Sequence, residues 1–450
     1  MATPPLELAD LAASVTARAT GNEQIEVYAT RGRSTTVKAY AGKVESLRSG
    51  TSQGIGIRVI VDGRQGFASA GSLAADVVAD TLAEARENLT FAEVDPYQAL
   101  AEPDGVVGPG LDLVDRSVLE ISEDDKIAIA IELERRCLDA DPRITGVRTS
   151  AWSDGWGEAA IASTAGIRVF SEGGSCSVGV QPLAVDGDET QMGHSGDAAR
   201  NRAGLDLDKV IAEAVESATG LLGAKKPPSE KLTVVFEPSV TASFLGIIAG
   251  ALTGDRVMKG RSPFGERLGD QIAVSGLTLV DDPTDPRSLG ADNHDGEGLA
   301  TRRNVLIDSG RLDHFLHNSY TARRASAAST GSAVRGSRST PSVGLQAMTL
   351  LPGDLDRDAL FALVGDGLFV RGINGLHSGV NPVSGDFSVG AYGHRIRNGQ
   401  LAEPVREATI ASTLQRMLLD IVAVGGDFEF LAGGTGSASL AIADISLTGF

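Results

Sequence analysis

Hydrophobic positions in the first ninety residues switch between two periods. Leu8, Leu11, Ala12 and Val15 recur at helical spacing behind Thr3-Pro4-Pro5, a capping hydroxyl followed by proline, and Gly21 can close the helix. Strand-like runs follow: QIEVYATR, TTVKAYAGKVESL, GIGIRVIVDG and GFASAG. Ser72 then precedes a second helical pattern with Leu73, Val77, Leu82, Ala85 and Leu89 on its apolar face. A Pro/Gly-rich passage from Pro96 to Gly110 reads as a linker.

The order then repeats. Ser122 opens a helix with Ile127, Ile131 and Leu138 as its apolar positions. ITGVRTSAW, GEAAIASTAG, GIRVFSEG and SCSVGVQPLAV read as strands, and Leu207 to Leu222 as a helix. GIRV occurs in both halves, at Gly56 and Gly166, which suggests two similar helix–strands–helix layers. After AKKPPSE, KLTVVFEP reads as a buried strand, and NVLIDSGRLDHF and HRIRNGQLAEP as hairpins. The class is α+β, with N-terminal helix–strands–helix layers and a β-rich C-terminal part. The expected boundaries are 1–95, a linker 96–117, a middle domain 118–224 and a C-terminal domain 225–450.

Between Ser239 and Asp255, SVTASFLGIIAGALTGD combines a helical pattern with small residues every fourth place: Ala242, Gly246, Gly250 and Gly254. Each glycine costs a helix about 1 kcal/mol relative to alanine, so the stripe needs a reason. Close packing against the chain's own sheet is the expectation.

Composition narrows the function. The 450 residues carry 59 acidic against 40 basic side chains, a net charge of −19 that disfavours nucleic acid. Cys137 and Cys176 are the only cysteines and have no CxxC spacing, as suits a reducing cytoplasm. MATPPLELAD has neither a basic nor an apolar leader region, and the Val240–Leu252 helix is too short to span a bilayer. A soluble cytoplasmic protein is expected.

Self-sufficient catalytic motifs are absent. None of the six histidines precedes a glutamate, so there is no H-E-x-x-H pair. His314 and His317 are the nearest approach to a ligand pair and fall short of a site. Ser384-Gly385-Asp386 reads as a turn rather than a nucleophile elbow. The densest charged cluster, His294, Asp295 and Glu297 with Arg302-Arg303 following, could hold a peptide terminus. The simpler reading is an exposed loop with weak ion pairs.

Three ordered stretches carry a family resemblance: HDGEGLATRRNVLIDSGRLDHFLHNSYTARR, SGDFSVGAYGHRIRNGQLAEPV and TLQRMLLDIVAVGGDFE. With GIGIRVIVDGRQGFASA near the N-terminus, they resemble the TldD/PmbA family, closest to its PmbA (TldE) branch, sometimes described as a modulator of DNA gyrase. The resemblance implies a cytoplasmic metallopeptidase acting on unfolded peptides, in which a TldD subunit carries H-E-x-x-x-H on a helix and pairs with a TldE/PmbA subunit. Aligned on Gly254-Asp255, the motif's first histidine falls at Leu245, its glutamate at Gly246 and its second histidine at Gly250. The resemblance thus implies a supporting subunit with no catalytic or metal-ligating residue of its own. The divalent metal, zinc, is expected in the TldD-type partner, in a heterodimer, with a homodimer as the alternative. His294, Asp295, Glu297, Arg302, Gly246 and Gly250 are the candidates for touching partner or peptide. Competing readings are a regulatory adaptor acting on gyrase or a toxin–antitoxin system, and an independent hydrolase with an unrecognised site.

Overall fold

The computed structural model describes residues 7–449, so the Thr3-Pro4-Pro5 helix start lies outside the described residues. The chain begins with α1 (Leu8–Thr16), β1 (Gln24–Tyr40), β2 (Lys43–Val61), β3 (Arg64–Ala70) and α2 (Ala75–Asn88). It continues through α3 (Glu123–Ala140), β4 (Ile144–Ser163), β5 (Arg168–Asp186), β6 (Glu189–Met192), β7 (Ser195–Ala199) and α4 (Leu207–Thr219). Helices and strands mix without βαβ alternation, so the α+β class stands.

The two halves are not separate layers. β1 pairs with both β2 and β4, and one seven-stranded sheet runs β3-β2-β1-β4-β5-β6, with β7 on β5. Runs that read as separate strands are continuous: β1 has 17 residues, β2 has 19, β4 has 20 and β5 has 19. The glycines within or between those runs, such as Gly50, Gly155, Gly157, Gly173 and Gly174, lie in extended backbone whose polar groups neighbouring strands satisfy. Actual reversals fall at Ala41-Gly42 and Asp62-Gly63, each with two successive positive φ angles.

Long strands need cover at both ends. One core joins Leu8, Ala12 and Val15 of α1 and Val78, Leu82 and Ala85 of α2 to Val27, Ile57 and Ala162. The second joins Ile129, Leu133 and Cys137 of α3 and Val210, Ile211 and Ala214 of α4 to Val37, Trp152 and Val178. The glycine-rich middle stays less covered, with Arg33 and Ser34 exposed.

α3 presents a different face from the expected one. Lys126, Ile129, Ala130, Leu133, Glu134 and Cys137 are buried, Ile127 and Ile131 only partly, and Leu138 is exposed. Two charges occupy core-facing positions because each has a partner. Lys126 Nζ lies 2.8 Å from Asp154, and Glu134 accepts the N–H groups of Ala41 and Gly42 at 2.7 and 2.9 Å. Elsewhere, Ala74 rather than Ser72 is the residue before α2, and α4 stops at Thr219.

The C-terminal part opens with β8 (Glu230–Phe236), α5 (Pro238–Ala251) and α6 (Gly254–Met258). β8 lies between Gly367–Asn374, to which it is parallel, and Leu440–Gly449, to which it is antiparallel. Asp386–Arg397 and Gln400–Thr413 extend this sheet, and Gln400–Thr413 also pairs with Leu440–Gly449, so the strands close on themselves. Phe244, Leu245, Ile248 and Leu252 are buried in its core beside Phe236, Phe387 and Ile410. Both expected hairpins form, turning at Ser309-Gly310 and Asn398-Gly399. Residues 96–115 contain no helix or strand and run along the C-terminal part. Arg323 donates to the carbonyls of Tyr97 and Ala99, and Asn293 exchanges bonds with Leu111.

Candidate functional site

Proline at its first position starts α5, and its apolar face seats it in the core. That seating decides the stripe. Leu245 is completely buried, whereas Gly246 and Gly250 are half-buried and a Cβ built on either meets nothing within 4 Å. The expected close packing of these two glycines inside the chain is therefore wrong. Only Gly254, beyond the helix end, is tightly packed: a Cβ there would fall against the ring of His317, and its N–H donates to Leu316 O at 2.8 Å.

His317 and His314 do not converge on a ligand. Buried His317 engages the Thr321 hydroxyl through Nδ1 at 3.1 Å, and burial pushes its pKa down, with His314 adding to the shift. His314 faces Asp313 at 3.1 Å. Ser384 donates to Asp386 at 2.6 Å around Gly385 at φ 90°, a turn as expected. Cys137 and Cys176 are buried free thiols, each pushed up to about 11, first of all by burial.

The loop around residue 295, which precedes the strand Asn304–Asp308, is not the solvated ion-pair loop expected. α7 (Ser319–Ala325) begins beside it, and Glu297, fully buried, accepts from the Ser319 N–H at 2.8 Å and hydroxyl at 2.6 Å. Asp295, 3 % exposed, accepts three backbone N–H groups, from Glu297, Leu299 and Ala333, at 2.9 to 3.0 Å. Burial, reinforced by the charge of Glu297, pushes the Asp295 carboxyl up to about 7 against those bonds.

Arg58 of β2 lies 3.8 Å from Glu297 and 2.8 Å from Glu26 of β1, and Arg335 pairs with the other oxygen of Glu26. Burial alone would raise the Glu26 carboxyl, but the two arginines outweigh it and hold it below the usual range. This network ties the N-terminal sheet to the C-terminal part. Of the six expected contact residues, it includes Glu297, with Asp295 beside it accepting the Glu297 N–H. His294 lines a cavity next to Asp295. Arg302 turns instead to Asp104 at 2.6 Å, and Gly246 and Gly250 pack against none of these groups. Sequence reading missed Glu26, Arg58 and Arg335. The available signal was a single charge inside each of the apolar runs Ile25–Val27 and Ile57–Val59, at positions that pair directly across the strands.

Asp295 gives a pH prediction. Its folded pKa lies above the ordinary carboxyl value of about 4. The folded chain therefore holds the proton more tightly, and this group's contribution to stability falls as pH rises from about 4 through about 7. Asp295→Asn should lose about 1–3 kcal/mol, since its amide would face the Ala333 N–H, and should flatten stability across that window. Denaturation midpoints of both proteins at several pH values check this; parallel curves would place the titration elsewhere.

Models of PmbA/TldA metallopeptidase domains match the chain in order: domain 1 over residues 25–89, the central domain over 116–222 and the C-terminal domain over 229–449. The chain belongs to the PmbA/TldA metallopeptidase family. Metalloprotease PmbA of Escherichia coli O157:H7 is 27% identical over 407 residues, covering 90% of this chain and 88% of that protein. Among solved structures, a Thermotoga maritima protein named as a candidate modulator of a DNA gyrase has a TM-score of 0.89 at 24% identity, covering 98% of this chain and 99% of that one. TldE from Thermococcus kodakarensis has 0.88 at 23%, covering 95% and 97%; both likenesses concern the fold.

A metallopeptidase family implies a metal, and α5 of this member does not fit one. Leu245 is aliphatic and points into the core, while Gly246 and Gly250 offer no donor atom. Among the described residues, no group of three or more His, Cys, Asp or Glu side chains is placed to hold a metal ion. No helix there is long and apolar enough to cross a membrane.

Proposed function

We propose that this chain is a non-catalytic, TldE/PmbA-type subunit that completes a TldD-type metallopeptidase acting on unfolded peptides. The observation that carries the reading is α5, a well-packed family helix whose motif positions hold a buried leucine and two glycines in open space. In this reading the partner supplies the divalent metal, zinc, and its activated water. This chain supplies a wall of the peptide chamber and stabilises the partner in a cytoplasmic heterodimer. Co-expression with an H-E-x-x-x-H-bearing relative tests it. The two should co-elute in light scattering with about one metal per pair, and this chain alone should hold none. A metal-loaded chain without partner would sink the proposal.

The open stripe makes a second prediction. In the isolated chain, Gly250→Ala should stabilise by about 0.5–1 kcal/mol through helix propensity, and Gly250→Leu should be tolerated. If the stripe meets the partner, leucine should weaken the complex while leaving the free chain's melt unchanged. A lowered melt for the isolated leucine variant would mean that the open space is filled.

A further inference from the structure

A cavity of about 270 Å³ lies between the N-terminal sheet and the loop around residue 295, lined by Tyr28, Asp292, His294, Asp295, Arg335 and Gln346, among others. Three of these side chains have polar atoms that are buried without a partner: Arg335 Nε and Nη2, Gln346 Oε1 and His294 Nδ1. The Arg335 side chain is fully buried. Its Nη1 is taken by Glu26, and the Tyr28 ring lies 5.0 Å from its guanidinium carbon. What remains unpaired is the Nε–Nη2 edge, two parallel donors that grip one planar acceptor group. The Gln346 amide is oriented by its own NH₂ group, which faces the carbonyls of Gly331 and Ala333 at 3.4 and 3.5 Å, leaving Oε1 as an acceptor in need of a donor.

We infer that this cavity is a binding site for a neutral amide group. An amide oxygen can accept from the Arg335 edge while its N–H donates to Gln346 Oε1, so one ligand satisfies both unmet needs. A carboxylate matches the arginine edge but not the glutamine acceptor. It would also enter beside Asp292 when Arg335 already has Glu26 as a counterion. Burial without a compensating charge disfavours that. His294 also lines the cavity, and burial pushes its pKa down against the opposing charge of Asp292, which works against a cation there. The amide can come from a peptide main chain or from an Asn or Gln side chain.

Titration of the full-length chain without partner, followed by saturation-transfer NMR and calorimetry, tests the site. Its failure leaves the partner-dependent peptidase reading intact. N-acetylalanine N′-methylamide should bind saturably, and N-acetylalanine, the matching anion, about tenfold or more weakly. Arg335→Lys removes the paired donors but keeps a charge for Glu26, and Gln346→Met removes the acceptor. Each should weaken the amide about tenfold or more. Should the lysine variant melt early, the methionine variant decides. N-methylacetamide and propanamide, compared at equal concentration, then assign the source, a stronger response to the first indicating main chain and to the second a side chain; either upholds the site. No saturable amide binding, unchanged binding in a folded variant, or tighter binding of the anion would overturn the inference.

Discussion

Peptide cleavage should appear only when this chain is mixed with an H-E-x-x-x-H-bearing subunit, at a rate about a hundredfold or more above either subunit alone, and a chelator should abolish it. The size of the effect follows from the chemistry. Hydrolysis at neutral pH requires an activated water, and a metal that lowers the water's pKa to about 7 is the usual source. Chamber closure by a second subunit then excludes solvent and orders the peptide. Grafting the motif onto this chain as Leu245→His, Gly246→Glu and Gly250→His should not substitute for the partner. Residue 245 points into the core, so its imidazole would be buried there instead of facing the position of residue 250. A third ligand and the groups that orient ligands would also be lacking. A fluorogenic unfolded peptide, assayed with each subunit, the mixture and the triple variant, measures all of this. Chelator-insensitive cleavage by this chain alone would favour an independent hydrolase.

Removing Glu26 should be strongly destabilising. Glu26 is 1 % exposed and Arg58 3 %, so Glu26→Ala leaves two guanidinium groups without their shared counterion. Breaking a buried ionic set in this way costs about 3–5 kcal/mol. Replacing Glu26 and Arg335 together, as Glu26→Leu with Arg335→Met, while Arg58 keeps Glu297 as its counterion at 3.8 Å, should recover part of the loss, because uncompensated charge rather than missing attraction is the source of the penalty. Chemical denaturation monitored by hydrogen exchange on both sides of the seam distinguishes local from global loosening. A loss below about 0.5 kcal/mol would show that water reaches the arginines.

The candidate site was only partly legible. The 294–302 run attracted attention through charge density, yet its burial was misjudged, because Asp295 and Glu297 are shielded by partners distant in sequence: Ala333, Ser319 and Arg58. α3 erred for the same reason. The apolar positions Ile127, Ile131 and Leu138 suggested one face, but Lys126 and Glu134 face the core because Asp154 and the Ala41-Gly42 turn are brought to them.

By itself the sequence determined the class, the positions of α1 to α5, both C-terminal hairpins and the family. Each of these rests on local signals: apolar periodicity, paired positive-φ residues at turns, and ordered motifs. Tertiary structure alone decided that the first two segments share one sheet, since Gly-rich stretches such as Ser153–Glu158 are turn or strand depending on whether a neighbouring strand takes their hydrogen bonds. It also decided which face of α5 is open. Helical spacing places Gly246 and Gly250 on one stripe, but only the surrounding strands and loops determine whether anything lies opposite.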